Sequence, residues 1–377
     1  MKLPPKSTTC SSAEYITSGS PFHRSCTVKH KRVIRLLDSL FLPTTLSRST
    51  YLRQPKVMSE KRIGVFSQLV PPKPTWTAAD VPDQTGKTAI ITGGNGGIGK
   101  ETARVLLSNG AKVYIATRSE EKSRAAIEEL KRDTGKESIY FLKLDLADLA
   151  SIKAGAEEFI AKESELHTLY NNGGVMNTPI EQVTNQGIDM QFGTNVLGHF
   201  YLTKLLVPVL SATAKRSPAG TVRVVNVSSI GHYMGAPEGI RWSTLALGDS
   251  SLAARKTLGT ARLYGQSKFG NILFSNEFAR KHGDDGIVSI SLHPGAINTD
   301  LARYAGSLVQ RAGRLITYSV SYGAITSLYA GTAPDAGGLN GKYLTCWARV
   351  TLPHKKVLDS ELGKKLWDWC EEQVKDI

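Results

Sequence analysis

The chain has 377 residues, 41% of them apolar and 21% charged, which fits a folded globular protein and excludes a disordered or fibrous one. Its four cysteines, Cys10, Cys26, Cys346 and Cys370, stand far apart with no C-x-x-C pair. Neither a zinc site nor a disulfide framework is indicated, and a reducing compartment is the simplest reading. The formal net charge of +14 raises the question of a nucleic-acid partner, but no aromatic-basic pattern accompanies it and none is expected.

Much of the charge lies in the first 57 residues. They hold ten Lys/Arg (Lys2, Lys6, Arg24, Lys29, Lys31, Arg32, Arg35, Arg48, Arg53, Lys56) against two acids, Glu14 and Asp38, and so carry +8 of the +14. This basic leader (1–57) is rich in Ser and Thr. In VKHKRVIRLLDSLFL it sets Val33, Leu36, Leu37, Leu40 and Phe41 at helical spacing beside basic residues, as an organellar transit peptide does. A disordered tail, or an upstream start preceding a true one at Met58, are the other readings. The expectation is a cytoplasmic protein, or a mitochondrial one if the leader is a transit peptide. The longest apolar run, from Val33, is broken by Arg35, Asp38 and Pro43, so no membrane span is expected. Residues 58–85, with Pro71, Pro72 and Pro74, read as a stiff connection.

From Lys87 onward, apolar strand-like runs alternate with amphipathic helical runs. Strands are expected at Thr88 to Thr92, Lys112 to Thr117, Ile139 to Asp145, Thr168 to Asn171, Val222 to Ser228, Val288 to His293 and Lys342 to Thr345. Helices are expected at Lys100 to Asn109, Glu120 to Lys131, Ser151 to Lys162, Gly187 to Leu210 and Tyr264 to Lys281. Continuous apolar strands with helices between them predict an α/β fold, a doubly wound parallel sheet covered on both faces, in a single domain over 86–377.

The first strand runs into TGGNGGIG, Thr92 to Gly99. A glycine-rich turn that leaves a strand and opens a helix is a phosphate cradle: glycine lets the backbone approach, and the helix N-terminus offers free N–H groups. Gly110 suits the end of that helix. The spacing is ambiguous, because Gly96 and Gly97 let the stretch satisfy both T-G-x-x-x-G-x-G and T-G-x-x-G-x-x-G.

Further segments follow in order: NNGG at Asn171 to Gly174, GTNVLGHF around Asn195, NVSS ending at Ser229, YGQSK with Tyr264 and Lys268, and HPGAINT from His293 to Thr299. No single one suffices, since chance alone supplies about one Y-x-x-x-K in a chain of this composition. In this order, and with the glycine turn, they resemble the short-chain dehydrogenase/reductase family from about Gly86 to the last helix. The resemblance implies a Rossmann-like fold and an enzyme that moves a hydride between a nicotinamide dinucleotide and a carbonyl or alcohol. It implies Ser229, Tyr264, Lys268 and Asn195 as catalytic residues. For the dinucleotide it implies Gly93, Asn95, Gly97, Ile98, Gly99, Arg118, Asp145, Asn172, Gly173, Tyr264, Lys268, Pro294, Gly295, Ile297 and Thr299.

The chemistry agrees with these residue types. Tyr264 and Lys268 are four apart on a predicted helix and share a face. A free phenol ionises near pH 10, and a nearby ammonium is expected to lower that value, making Tyr264 the general acid in reduction and the general base in oxidation. By resemblance Lys268 also holds the nicotinamide ribose, Ser229 bonds the substrate oxygen with Ser228 as its fallback, and Asn195 supports a proton relay. KVYIATRSEEK ends its strand without an acid and then offers Arg118 and Lys122, which predicts NADP (NADPH) over NAD; Glu120 and Glu121 are expected to open the next helix.

Three features depart from the pattern. Gly173 stands where the family has alanine. Residues 230–263 form an insertion between Ser229 and Tyr264, similar to the retinol dehydrogenase and WW-domain oxidoreductase subgroup, which implies a bulky or lipophilic substrate. The third is the leader. A substrate lid is expected at 301–318, lined by Leu301, Tyr304, Leu308 and Val309 or using them as helix core. The C-terminal ELGKKLWDWCEEQV is expected to pack through Leu362, Leu366, Trp369 and Gln373. No metal is expected, and the oligomeric state is left open. A dinucleotide-binding sensor or scaffold without turnover is the alternative to an enzyme; a lyase or epimerase is disfavoured by the lack of a large C-terminal domain.

Overall fold

Residues 62–297 and 317–377 of the chain are described by a computed structural model. The connection before the sheet is not featureless: it holds a short helix, α1 (Val65–Leu69), whose Gln68 is buried, with its Oε1 accepting from the Thr345 hydroxyl. Eight strands then form one sheet in the order β3-β2-β1-β4-β5-β6-β7-β8. They are β1 (Thr88–Thr92), β2 (Lys112–Thr117), β3 (Ile139–Lys143), β4 (Thr168–Asn171), β5 (Arg223–Val227), β6 (Val288–Leu292), β7 (Lys342–Thr345) and β8 (Arg349–Thr351). All neighbours are parallel except β7 and β8. The sequence pattern located seven of these strands and missed β8, three residues that open on a charged Arg349 and show no apolar run.

Helices cover both faces. On one face lie α2 (Gly97–Ser108), α3 (Glu120–Thr134) and α8 (Val320–Thr332); on the other lie α4 (Leu149–Lys162), α5 (Met190–Arg216), α7 (Thr260–His282) and α9 (Ser360–Gln373). A smaller helix, α6 (Asp249–Leu258), sits within the insertion. The core is accordingly in two apolar layers, one on each side of strands such as β1, whose five residues are all buried. The local signals behave as written: Gly110, at φ +92°, follows the end of α2, Ser119 caps α3, and Glu120 and Glu121 fall in its first turn.

Helix α5 is long and apolar enough to cross a membrane by length and composition, and 67% of its most apolar stretch is buried within the body, as in a core helix. One sequence reading needs correction. In α9 the buried face is Gly363, Leu366, Trp367, Cys370 and Val374 beyond it; Gln373 is off that face, and Trp369 is only partly covered, against Phe192. The helix is rotated because Trp367 is drawn into the aromatic cluster of Phe200 and Phe274.

Candidate active site at the carboxyl edge of the sheet

Strand order reverses between β1 and β4, and the crevice at that reversal is where a doubly wound sheet takes its ligand. The sequence-predicted residues meet there. Gly93 to Gly99 follow β1, Arg118 follows β2, Asp145 lies beyond β3, Asn172 and Gly173 follow β4, Ser229 lies beyond β5, and Pro294 to Ile297 follow β6. Thr299, Leu301, Tyr304, Leu308 and Val309 lie outside the described residues, as does the leader.

The glycine turn has an explicit geometry. Gly93 and Gly97 adopt φ of +67° and +51°, which favours glycine. At Gly99 a Cβ would stand 2.5 Å from the Gly93 oxygen and 2.6 Å from Asn172 Nδ2. Gly96 has an extended φ of −164° and nothing within 4 Å of where a Cβ would be. The spacing ambiguity is thereby settled: Gly93, Gly97 and Gly99 are the required positions, and Gly96 is not. A Cβ at Gly93 would meet the Gly173 Cα at 3.0 Å, and Asn172 Nδ2 donates to the Thr92 carbonyl at 2.8 Å, so the ends of β1 and β4 form one backbone floor. A methyl at Gly173 would stand 3.0 Å from Leu146 Cδ1, so the glycine there relieves a close contact. No side chain caps the N-terminus of α2, which leaves its first N–H groups free for an anion. This is the cradle that a pyrophosphate fits.

Arg118 is exposed, and among the described residues its guanidinium makes no hydrogen bond or ion pair. Its carbonyl accepts from Lys143 Nζ at 2.9 Å, which fixes the stem. Glu120 is occupied with Arg124. Asp145 uses one carboxylate oxygen to accept the Ala147 N–H at 3.0 Å. Asn95 lies in the turn and Ile98 in the first turn of α2, and Gly295, at φ +102°, lies against the Trp347 ring, a Cβ there falling 3.0 Å from it. Pro294 is buried, and Ile297 bridges to Tyr318 and belongs to an apolar group with Ile325 and Trp347.

Across from the cradle, Tyr264 and Lys268 are 8% and 4% exposed on α7, with the ammonium 5.9 Å from the phenol ring centre. The Ser229 side chain stands beside the Tyr264 phenol and acts to lower its titration. Ser229 Oγ also accepts the Gly231 N–H at 3.0 Å, and the bare Gly231 leaves room for both groups: a Cβ would lie 3.2 Å from the Tyr264 ring. Ser228, the fallback, is spent on structure, donating to the Lys268 carbonyl at 2.6 Å. Burial pushes the Tyr264 phenol up to about 12, against the lowering expected from its lysine. The reason is that the ammonium is turned to the Val227 carbonyl, 2.9 Å away, and burial pushes Lys268 itself down to about 8. Asn195 is fully buried in a π-helical segment of α5, Gly193–Leu197. Its amide donates to the Val175 carbonyl and to Ser267 Oγ, both at 2.9 Å, and its Oδ1 accepts the Val175 N–H at 2.9 Å.

The insertion is made of short helical turns and helix α6, and it packs on the start of the Tyr264 helix. Gln266 holds it, accepting the Arg241 N–H at 2.7 Å and donating to Thr244 Oγ1 at 2.9 Å. Gly265 lets the turn approach, since a Cβ would fall 2.7 Å from the Gly231 oxygen. Sequence reasoning missed the polar roles of Thr92, His199 and His232, the last donating from Nδ1 to the Ser229 carbonyl oxygen at 2.7 Å. The available signal was spacing: His199 is four residues after Asn195, and His232 three after Ser229. Among the described residues no three His, Cys, Asp or Glu side chains come together as a metal site.

The chain is similar to known proteins. The family profile described as short chain dehydrogenase matches residues 87–244. A short-chain dehydrogenase/reductase of Armillaria gallica is 50% identical over 310 residues, covering 82% of this chain and 97% of its own. Retinol dehydrogenase 12 of Mus musculus is 40% identical over 285 residues, covering 75% of this chain and 84% of its own. The crystal structure of an uncharacterized protein from Mycobacterium paratuberculosis superposes with a TM-score of 0.59 at 29% identity, covering 80% of this chain and 97% of that one.

Proposed function

The chain belongs to the short-chain dehydrogenase/reductase family, NAD(P)-binding oxidoreductases acting on CH–OH and C=O groups, and from that premise we propose an NADP-dependent enzyme that reduces or forms a lipophilic carbonyl with Tyr264 as its general acid or base. The observation that carries this reading is the convergence of Tyr264 and Ser229 on Gly231, with Lys268 one turn behind the tyrosine on α7.

Gly93, Gly97, Gly99 and the free end of α2 would hold the pyrophosphate, and Arg118 a 2′-phosphate. The dinucleotide would supply the hydride in reduction and take it up in oxidation. Everything else falls to side chains. Ser229 orients the substrate oxygen with its hydroxyl. Tyr264, kept neutral by burial, donates its proton to that oxygen in reduction and takes it back in oxidation. The Lys268 ammonium, held on the Val227 carbonyl in this structure, would have to turn toward the phenol to stabilise the phenolate left behind, and the bonds from Asn195 to Val175 and Ser267 keep the helix and the β4 loop in register. The likeness to retinol dehydrogenase 12 and the insertion packed on the start of the Tyr264 helix support a lipophilic substrate.

Tyr264→Phe keeps the ring and removes the proton. Turnover on an accepted carbonyl is expected to fall at least about 100-fold with NADPH affinity within a few-fold, and full retained turnover would remove Tyr264 from the mechanism. Arg118→Ala is expected to weaken NADPH about tenfold and leave NADH unchanged, since a phosphate bond to a guanidinium is charge-assisted. Equal loss for both cofactors would count against the 2′-phosphate assignment.

A further inference from the structure

His199 is 2% exposed, with Nδ1 3.0 Å from the Asn195 main-chain oxygen and Nε2 2.8 Å from the Thr92 hydroxyl. A carbonyl only accepts, so Nδ1 carries the proton; in the neutral ring Nε2 is then an acceptor and the Thr92 hydroxyl donates to it. The lone pairs left on Thr92 Oγ1 accept the N–H groups of Asn172 and Gly173 at 2.9 and 2.8 Å. The Tyr170 carbonyl, 3.3 Å from Thr92 Oγ1, is a second and longer acceptor for the same hydroxyl proton; His199 Nε2 at 2.8 Å is the shorter. Burial, with Lys268 as the charged neighbour that faces the ring, pushes the imidazole down to about 4 and keeps it neutral at working pH.

The row continues in both directions. From Thr92 it reaches the β1 and β4 ends that floor the dinucleotide cradle. From Asn195 it passes through the amide to Ser267 Oγ at 2.9 Å, and Ser267 donates in turn to the Tyr264 carbonyl at 2.8 Å. A second route runs along the β1–β4–β5 ladder and from Ser228 to the Lys268 carbonyl; the His199 row is the one that passes through α5.

We propose that His199 is a positioning residue that couples the dinucleotide cradle to the Tyr264 helix through a fixed Nδ1–H tautomer, Nε2 acting on dinucleotide affinity through Thr92 and Nδ1 acting on turnover through Asn195. This rests on the enzymatic reading above and divides its two functions between two nitrogens of one ring.

The test uses two substitutions of different reach. An asparagine amide falls near the place of Nδ1, and a glutamine amide near the place of Nε2. His199→Asn is expected to raise the Kd for NADPH about tenfold, as for a lost buried hydrogen bond, with kcat within about threefold of wild type. His199→Gln is expected to do the reverse. Nitrogen NMR of the imidazole in the dinucleotide-free chain at pH 7 is expected to show Nδ1 protonated and Nε2 bare, a readout that needs neither variant to fold. A Nε2–H tautomer overturns the proposal, as does a drop in melting temperature in both variants with kcat and Kd unsplit. Wild type that binds NADPH and turns over while the variants fail to split overturns only the role of His199. Wild type that binds no NADPH overturns the enzymatic reading and this one with it.

Discussion

The glycine turn after β1 and the helix bearing Tyr264 face each other across the sheet edge, and they are made of different material. In the turn, backbone meets backbone: Gly99 and Gly93 approach so closely that a single methyl would collide. On α7 and around it, side chains with ionisable groups are buried, and each is displaced from its ordinary titration: Tyr264 to about 12, Lys268 to about 8, His199 to about 4. The first region is therefore vulnerable to shape and indifferent to pH. The second is vulnerable to charge.

Acid should separate them most strongly. His199, His232 and His293 are buried and pushed down to about 4, 4 and 3. Unfolded, they would take protons near pH 6.5, so the unfolded chain binds more protons below that value and stability falls as pH drops from 6.5 toward 4. At pH 5 each imidazole costs about 2 kcal/mol. Asp189, pushed up to about 6 by burial, works in the opposite sense and offsets about 1 kcal/mol. Denaturant midpoints at pH 7.5 and pH 5 measure the balance; equal midpoints would show that these rings are not held neutral.

Lys268→Met sharpens the contrast. The folded value lies below the unfolded one, so the buried ammonium destabilises the fold at neutral pH, by about 3 kcal/mol. That cost fades as pH rises from 8 to 10.5. The variant should melt several degrees higher than wild type at pH 7 while losing turnover, and Val227 keeps a donor in Asn271 at 3.1 Å. A lower melting point at pH 7 would mean that the ammonium stabilises the fold after all.

The smallest effects belong to the turn. Gly99→Ala should cost about 1–3 kcal/mol as an overpacked site, and Gly96→Ala no more than about 0.5 kcal/mol, both read on the dinucleotide-free chain. If the two alanines behaved alike, the geometric choice between the two spacings would be wrong.

How much of this the sequence disclosed follows the same division. The strands after which the cradle and Ser229 fall were legible because apolar runs bounded by glycine and polar residues leave few alternatives, and β1, β2, β4 and β7 have the expected ends. The choice between Gly96 and Gly97 was not legible, since a string of glycines does not say which of them has a positive φ. Tyr264 and Lys268 could be placed by order and spacing, but not their charge states, because the lysine's direction toward Val227 depends on where β5 ends relative to α7. The histidine roles were hidden for a similar reason. His199 finds Thr92 across 107 positions of chain, a distance over which periodicity carries no information.

The π-helical segment Gly193–Leu197 bears on how this site tolerates change. The N–H of Gly198 reaches the Gly193 carbonyl five residues back, where an α-helix would reach four, so α5 contains one residue more than its regular winding needs. Removing any one of those five would restore a uniform helix of the same hand and hydrogen-bond count. It would also close the widened turn. Five residues at the wider winding turn through about the same angle as four in an α-helix, so the flanks of α5 would keep their phase and the loss would fall on the turn itself. That turn is where Asn195 gives its amide to Val175 and Ser267. The segment is a local slackening of the winding that presents one side chain, so a deletion within it should cost the Asn195 bonds while the helix on either side keeps its place.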